Sequence, residues 1–191
     1  MDLRKIIPTT LAAALLVGSS LVAAAATMSD ANPVTVGGQA MFASKNIVEN
    51  AVNSADHTTL VAAVKAAALV STLESPGPFT VFAPTNEAFA KLPPGTVETL
   101  VKPENKAMLT KILTYHVVAG RLTGADLVKL VKDGHGKAML KTVEGDPLTV
   151  SEHDGKLVVS GEKGGVAEVS IANVMQSNGV IHVVSSVLLP D

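Results

Sequence analysis

Phe79-Thr-Val-Phe-Ala-Pro-Thr-Asn-Glu-Ala-Phe89 changes its conformational preference at a single proline. Up to Ala83 the residues alternate and are aromatic or β-branched, as in a strand. Phe79, Val81 and Ala83 point into a core, while Thr80 and Phe82 take the other face. Pro84 lacks the amide that pairing requires and ends the strand. Thr85 is placed to accept a backbone N–H at the start of a short helix, Asn86 to Ala90.

Upstream of this unit the period is helical. Ile47, Val48, Ala51 and Val52 recur at one turn, and Leu60, Val64, Ala67 and Ala68 repeat the pattern, with Asp56 or Thr58 as cap. Pro76-Gly77-Pro78 stops everything helical. Downstream, Pro93-Pro94-Gly95 reads as a turn, and Pro103 opens a helix that runs to about Tyr115 on an apolar face of Met108, Leu109, Ile112 and Leu113. His116-Val117-Val118 is a short strand. Thr123-Gly-Ala-Asp126 has the form of a capping box. After Gly134 the period becomes two: Leu148 and Val150, then Leu157 and Val159, flank a hairpin at Asp154-Gly155. Ala167, Val169 and Ile171 share a face, and Val180 to Val184 follow a turn at Asn178-Gly179. Helices first and strands later, with one early strand, make the chain α+β.

The N-terminus is read as a secretory signal. Arg4 and Lys5 precede an apolar stretch too short to span a membrane, and the alanines ending at Ala26 offer small-residue cleavage sites. Residues 27–43 read as a flexible leader, and residues 44–190 as one domain. The chain is expected in the periplasm or the medium, with no stable membrane span after cleavage. An exported chain with no Cys fits a bacterial envelope, and disulfide scaffolds, Cys-bound metal and cysteine nucleophiles are excluded outright. With 47% hydrophobic and 17% charged residues the chain is not a disordered one. A net charge of -2 and a pI near 6.2 supply no basic field for nucleic acid.

Three segments stand together in order and spacing: the run from Phe79 to Phe89, Tyr115-His116 within Leu113 to Val118, and Asn178-Gly-Val-Ile-His-Val-Val184 with Leu188-Leu-Pro190 after it. In this the chain resembles a fasciclin domain, in one copy over residues 44–190. The resemblance implies a strand-rich wedge or sandwich packed against a layer of short helices. It also implies an extracellular or envelope setting and a non-enzymatic binding role, in adhesion or protein–protein contact, with no cofactor. The partner would be a surface protein or a glycan. The motif residues Thr85, Asn86, Tyr115, His116, Asn178, Gly179 and His182 are expected to be structural. In adhesive animal members an Asp-Ile pair just before the Asn-Gly turn is linked to integrin contact. The matching positions here are Asn173 and Val174, the candidate partner contact that the resemblance implies, although the carboxylate that a metal-dependent receptor needs is absent. Val174 is expected in the core at a strand end.

The residues also carry expectations of their own. His182 alternates with Val180 and Val184 and should be buried and hydrogen-bonded. His116, where a helix becomes a strand, is expected to bond Thr85 or Asn86. Glu152-His153-Asp154 reads as a polar hairpin end whose side chains diverge, His135 as a mobile loop, Gly161 to Gly165 as a flexible connection, and Met108 as packing. Neither His-Glu-x-x-His nor Gly-x-Ser-x-Gly occurs, so no zinc-peptidase or hydrolase motif is present. A soluble factor binding a small molecule or lipid remains the alternative, and would need an apolar cleft between helices and sheet. A hydrolase would need His116 or His182 beside an exposed serine and a carboxylate.

Overall fold

The computed structural model describes residues 33–190; the signal segment and the start of the leader lie outside them. Seven helices and nine strands follow one another: β1 (Val34–Val36), β2 (Gln39–Met41), α1 (Ile47–Ala51), α2 (Thr58–Ala66), α3 (Val70–Glu74), β3 (Phe79–Pro84), α4 (Asn86–Ala90), α5 (Thr96–Leu100), α6 (Lys106–Tyr115), β4 (Val117–Ala119), α7 (Gly124–Asp133), β5 (Lys137–Lys141), β6 (Pro147–His153), β7 (Lys156–Ser160), β8 (Val166–Gln176) and β9 (Gly179–Val184). The fold is α+β.

Strands β3 to β9 form one sheet in the order β4-β3-β9-β8-β7-β6-β5. All neighbours are antiparallel except β3 and β9, which run parallel with Phe79 opposite Gly179 and Phe82 opposite His182. The two outer strands nearly meet. Val118 bridges Thr142, and the Val143 amide donates to the Val117 carbonyl at 2.7 Å. The sheet therefore curls almost into closure, which covers edges that would otherwise offer themselves for pairing.

Two apolar cores result. One lies between the helices and the sheet and includes Ile47, Leu60, Val64, Leu73, Val81, Ala83, Leu113 and Val183. The other fills the curled sheet beneath α7, with Phe82, Tyr115, Leu127, Leu148, Val150, Val159 and Leu188. Strand β3 separates them, so the face of Thr80 and Phe82 is a second interior; both residues are fully buried. The Thr80 hydroxyl meets its polar needs there by donating to the Gly120 carbonyl and accepting from the Leu122 amide.

Several local expectations change. Residues 34–41 of the leader form a hairpin whose Val36 and Met41 sit in the first core, so ordered structure begins before Ser44. Neither Asp56 nor Thr58 caps α2; the preceding residues wind into a short 3-10 turn over Ala55–His57. The helix α3 was hidden in a stretch with too few residues to show a period. Met108 is 60% exposed, because the buried arc of α6 is Leu109, Ile112, Leu113 and Tyr115. His135 directly follows the end of α7. It holds a left-handed conformation after α7, with its amide on the Lys132 carbonyl and that of Gly136 on the Val131 carbonyl, a Schellman ending. The Gly161 to Gly165 connection closes on itself, the Gly161 amide donating to the Gly165 carbonyl.

Candidate functional site

The two motif imidazoles lie in the seams of the fold. His116 ends α6, where the last turn leaves carbonyls without helical partners. Its Nδ1–H donates back to the Ile112 carbonyl at 2.9 Å, and its Nε2 accepts the Leu188 amide at 3.0 Å. The ring therefore fastens the C-terminal segment to α6. It does not reach Thr85 or Asn86, because Ile112 lies within its own helix turn and satisfies Nδ1 first. Burial pushes its pKa down to about 4, against the Ile112 bond, which favours the charged form. His182 uses the opposite tautomer. Nε2–H donates to the Leu122 carbonyl at 2.8 Å, while Nδ1 accepts the Asn173 amide at 3.4 Å, and the ring stacks on Phe82. Its pKa is also lowered by burial. Tyr115 packs edge-on to His116, donates to the Pro147 carbonyl and accepts the Glu162 amide.

The other motif residues join helices that are distant in sequence. Thr85 caps α4 through the Ala88 amide. The Asn86 side chain accepts from the Thr59 amide and the Thr58 hydroxyl and donates to the Ala55 carbonyl, so it supplies the N-terminal cap that α2 lacks locally. Asn178 works the same way on a larger scale. Its Oδ1 accepts the Ile47 amide at the head of α1, and its Nδ2 donates to the Leu73 and Ser75 carbonyls at the tail of α3. The Asn178-Gly179 turn needs no positive φ at Gly179. A Cβ there would stand 2.2 Å from the Phe79 carbonyl oxygen, so glycine is required by close approach. Gly77 answers it from the other side, where a Cβ would meet the Asn178 oxygen at 2.2 Å.

Asn173 sits where β8 slips its register against β9, at φ 62, and its Oδ1 accepts the Gly124 amide at the start of α7. Val174 is buried in the first core, as its apolar alternation suggests, and so is no partner contact. Asn tolerates the left-handed conformation that such a bulge imposes. The irregularity also carries β8 from one core to the other, Val169 packing on the second and Ile171 on the first.

His57 was not singled out by its surroundings in the chain. Its Nδ1 meets the Ser54 hydroxyl at 2.9 Å. Ser54 is fully buried beneath the β1–β2 hairpin, near the Val36 carbonyl, and no carboxylate lies on the ring's far nitrogen. Burial lowers the His57 pKa, opposed by the Ala83 main chain and by Asp56. At the far hairpin, His153 and Asp154 do meet, at 3.2 Å, because Asp154 has already entered the turn at φ 51; both are exposed. No three His, Cys, Asp or Glu among the described residues converge as a metal site.

Between α1–α3 and the β3–β9 pair lies an apolar cavity of about 70 Å³. Val64, Leu69, Leu73, Val81 and Val183 form part of its wall, as do His57 and His116.

Comparison with known proteins places this geometry. A family model described as Fasciclin domain matches residues 55–190. The chain belongs to the fasciclin domain family. Among curated relatives, protein sll1483 of Synechocystis sp. is 52% identical over 144 residues, covering 75% of this chain and 73% of the relative. Immunogenic protein MPB70 of Mycobacterium bovis is 39% identical over 145 residues, 73% of this chain and 66% of the relative. The solved FAS1 domain pair of the insect cell adhesion molecule Fasciclin I superposes with a TM-score of 0.67 at 21% identity, over 74% of this chain and 50% of that one, a likeness of fold. No helix among the described residues is long and apolar enough to cross a membrane.

Proposed function

We propose that this fasciclin domain is an exported, non-enzymatic binding module that contacts a surface protein or a glycan outside the cytoplasm. The observation that carries the reading is the state of the motif histidines. Each of the four nitrogens of His116 and His182 is engaged by a backbone group, leaving no lone pair for a substrate and no serine in contact. General-base chemistry needs a ring within reach of the proton it takes. The Ser54–His57 pair is buried, and no carboxylate is bonded to the far nitrogen of His57. Recognition then falls to the exterior, and the basic, small-residue-ended N-terminus supports export.

Fractionation of the native host with crosslinking and mass spectrometry tests this directly. The protein should appear in the periplasm or the medium, joined to a surface component, and its deletion should weaken attachment or aggregation. A cytoplasmic protein, or unchanged attachment together with no crosslinked neighbour, refutes it.

One observation favours a second reading, a soluble factor that binds a small apolar molecule: the cavity stands between helices and sheet, where such a site requires it.

A further inference from the structure

Asn178 is the chain's single asparagine followed by glycine. Asparagine is a thermolabile residue, and most of all before glycine, whose missing side chain leaves its amide nitrogen uncrowded. When the Gly179 amide gives its proton to solvent, its nitrogen can bond to Asn178 Cγ. The bond from Cγ to the side-chain nitrogen then breaks, and that nitrogen takes up a proton and leaves as ammonia. A succinimide ring remains, and water opens it on either side to aspartate or isoaspartate. Water is the only co-reactant, so any state that frees the side chain carries the reaction.

The folded chain withholds what the attack requires. The Asn178 side chain would have to swing over its own main chain. Its Oδ1 is held by the Ile47 amide at 3.1 Å, and its Nδ2 by the Leu73 and Ser75 carbonyls at 2.7 and 3.0 Å. These anchors stand at the head of α1 and the tail of α3, so the side chain cannot turn without letting go of both helices. The Asn178 carbonyl is fixed as well, by the Phe79 amide at 3.1 Å. Gly179 is buried, faces Gln176 in the β8–β9 ladder and lies hard against the Phe79 carbonyl. The glycine that close approach demands is therefore the residue that makes its neighbour labile.

The products do not fit the same place. In aspartate, one carboxylate oxygen can still accept the Ile47 amide. The other replaces a donor and faces the Leu73 and Ser75 carbonyl oxygens, acceptor against acceptor, at a position only 8% exposed. Isoaspartate lengthens the main chain just before β9 and throws that strand out of step with β3.

We propose that Asn178 is a deamidation site that the unfolded chain exposes and the folded chain closes, and that the modified chain cannot rebuild the joint between α1 and α3. Unfolding then becomes irreversible in proportion to the time spent unfolded. This holds whatever the domain binds.

Peptide mass mapping of the full chain, held at mildly alkaline pH in buffer and in denaturing urea, tests it. In urea Asn178 should convert ahead of every other asparagine, with isoaspartate among the products. In buffer the conversion should be about a thousandfold slower or more, the factor by which folding thins the unfolded population. It should quicken with added urea along the global unfolding curve. Chains diluted from urea after a brief exposure should refold fully, and after a long one should lose native signal in step with the converted fraction. Asn178→Asp, the aspartate product made directly, should have a lower urea midpoint or fail to fold. An amide that persists in urea, or conversion as fast in buffer as in urea, overturns the site. Equal losses after brief and long exposure, or converted chains and Asn178→Asp that melt with the parent, overturn its consequence for the joint.

Discussion

At the scale of single residues, this fold is fastened by side chains that answer main-chain groups. His116 shows what that means for pH. Its pKa is about 4 in the folded chain against the ordinary 6.5 of a free imidazole, so between those values the unfolded chain holds more protons. Stability is therefore fully present above pH 6.5 and is lost as the pH falls towards 4, by about 3 kcal/mol from this ring. His57 and His182, also lowered, push the same way. Urea midpoints should be level above pH 7 and decline below 6.5, with a shallower decline in His116→Gln. At neutral pH, His116→Ala should lower the melting temperature by several degrees, since it leaves the Leu188 amide and the Ile112 carbonyl without their partner. Ala68, at φ 59, makes the opposite case. An alanine in the left-handed region costs about 1–2 kcal/mol, so Ala68→Gly should raise stability by up to about 1 kcal/mol after the greater chain entropy of glycine is counted. Denaturant melts of the pair decide it.

At the scale of elements, close approach matters as much as hydrogen bonding. β3 and β9 can lie parallel with Phe79 opposite Gly179 only because no side chain stands between the strand and the Phe79 carbonyl. Gly179→Ala should cost at least about 3 kcal/mol by forcing that pair apart. Gly155→Ala, in an open turn with φ +75, should cost only the backbone strain of about 1–2 kcal/mol. Equal losses in the two variants would show that turn conformation, and not contact, sets the need for glycine. The same contrast explains what could be read in advance. Periodicity and capping residues announced β3, α4, the α7 capping box and the Asp154-Gly155 hairpin, because each is written in neighbouring residues. The β1–β2 hairpin was missed because Gly37-Gly38 suggests flexibility, and its burial depends on a core assembled by later residues. The partners of Asn86 and Asn178 were invisible for the same reason. Thr59 and Ile47 lie 27 and 131 residues from them, and no local pattern reports such a distance. Nor did any motif announce the cavity, which is the space left between elements.

At the scale of the whole molecule, a sheet that nearly closes presents little free edge. Its closure depends on a short contact between the Val117 and Val143 main chains, so hydrogen exchange should find the Val143 amide protected although its side chain is 44% exposed. Rapid exchange there would mean that the outer strands part in solution, and would turn the wedge into an open sheet. The joint at Asn178 has a consequence for how the chain is made. The head of α1 and the tail of α3 are joined by a residue synthesised more than a hundred positions later, and one of the two strands beside β3 is β9, the last strand among the described residues. A nascent chain lacking its final tenth has the helices but neither their clasp nor the strand that joins β3 to the rest of the sheet. The sheet of such a polypeptide cannot be completed until the ribosome has almost finished with it.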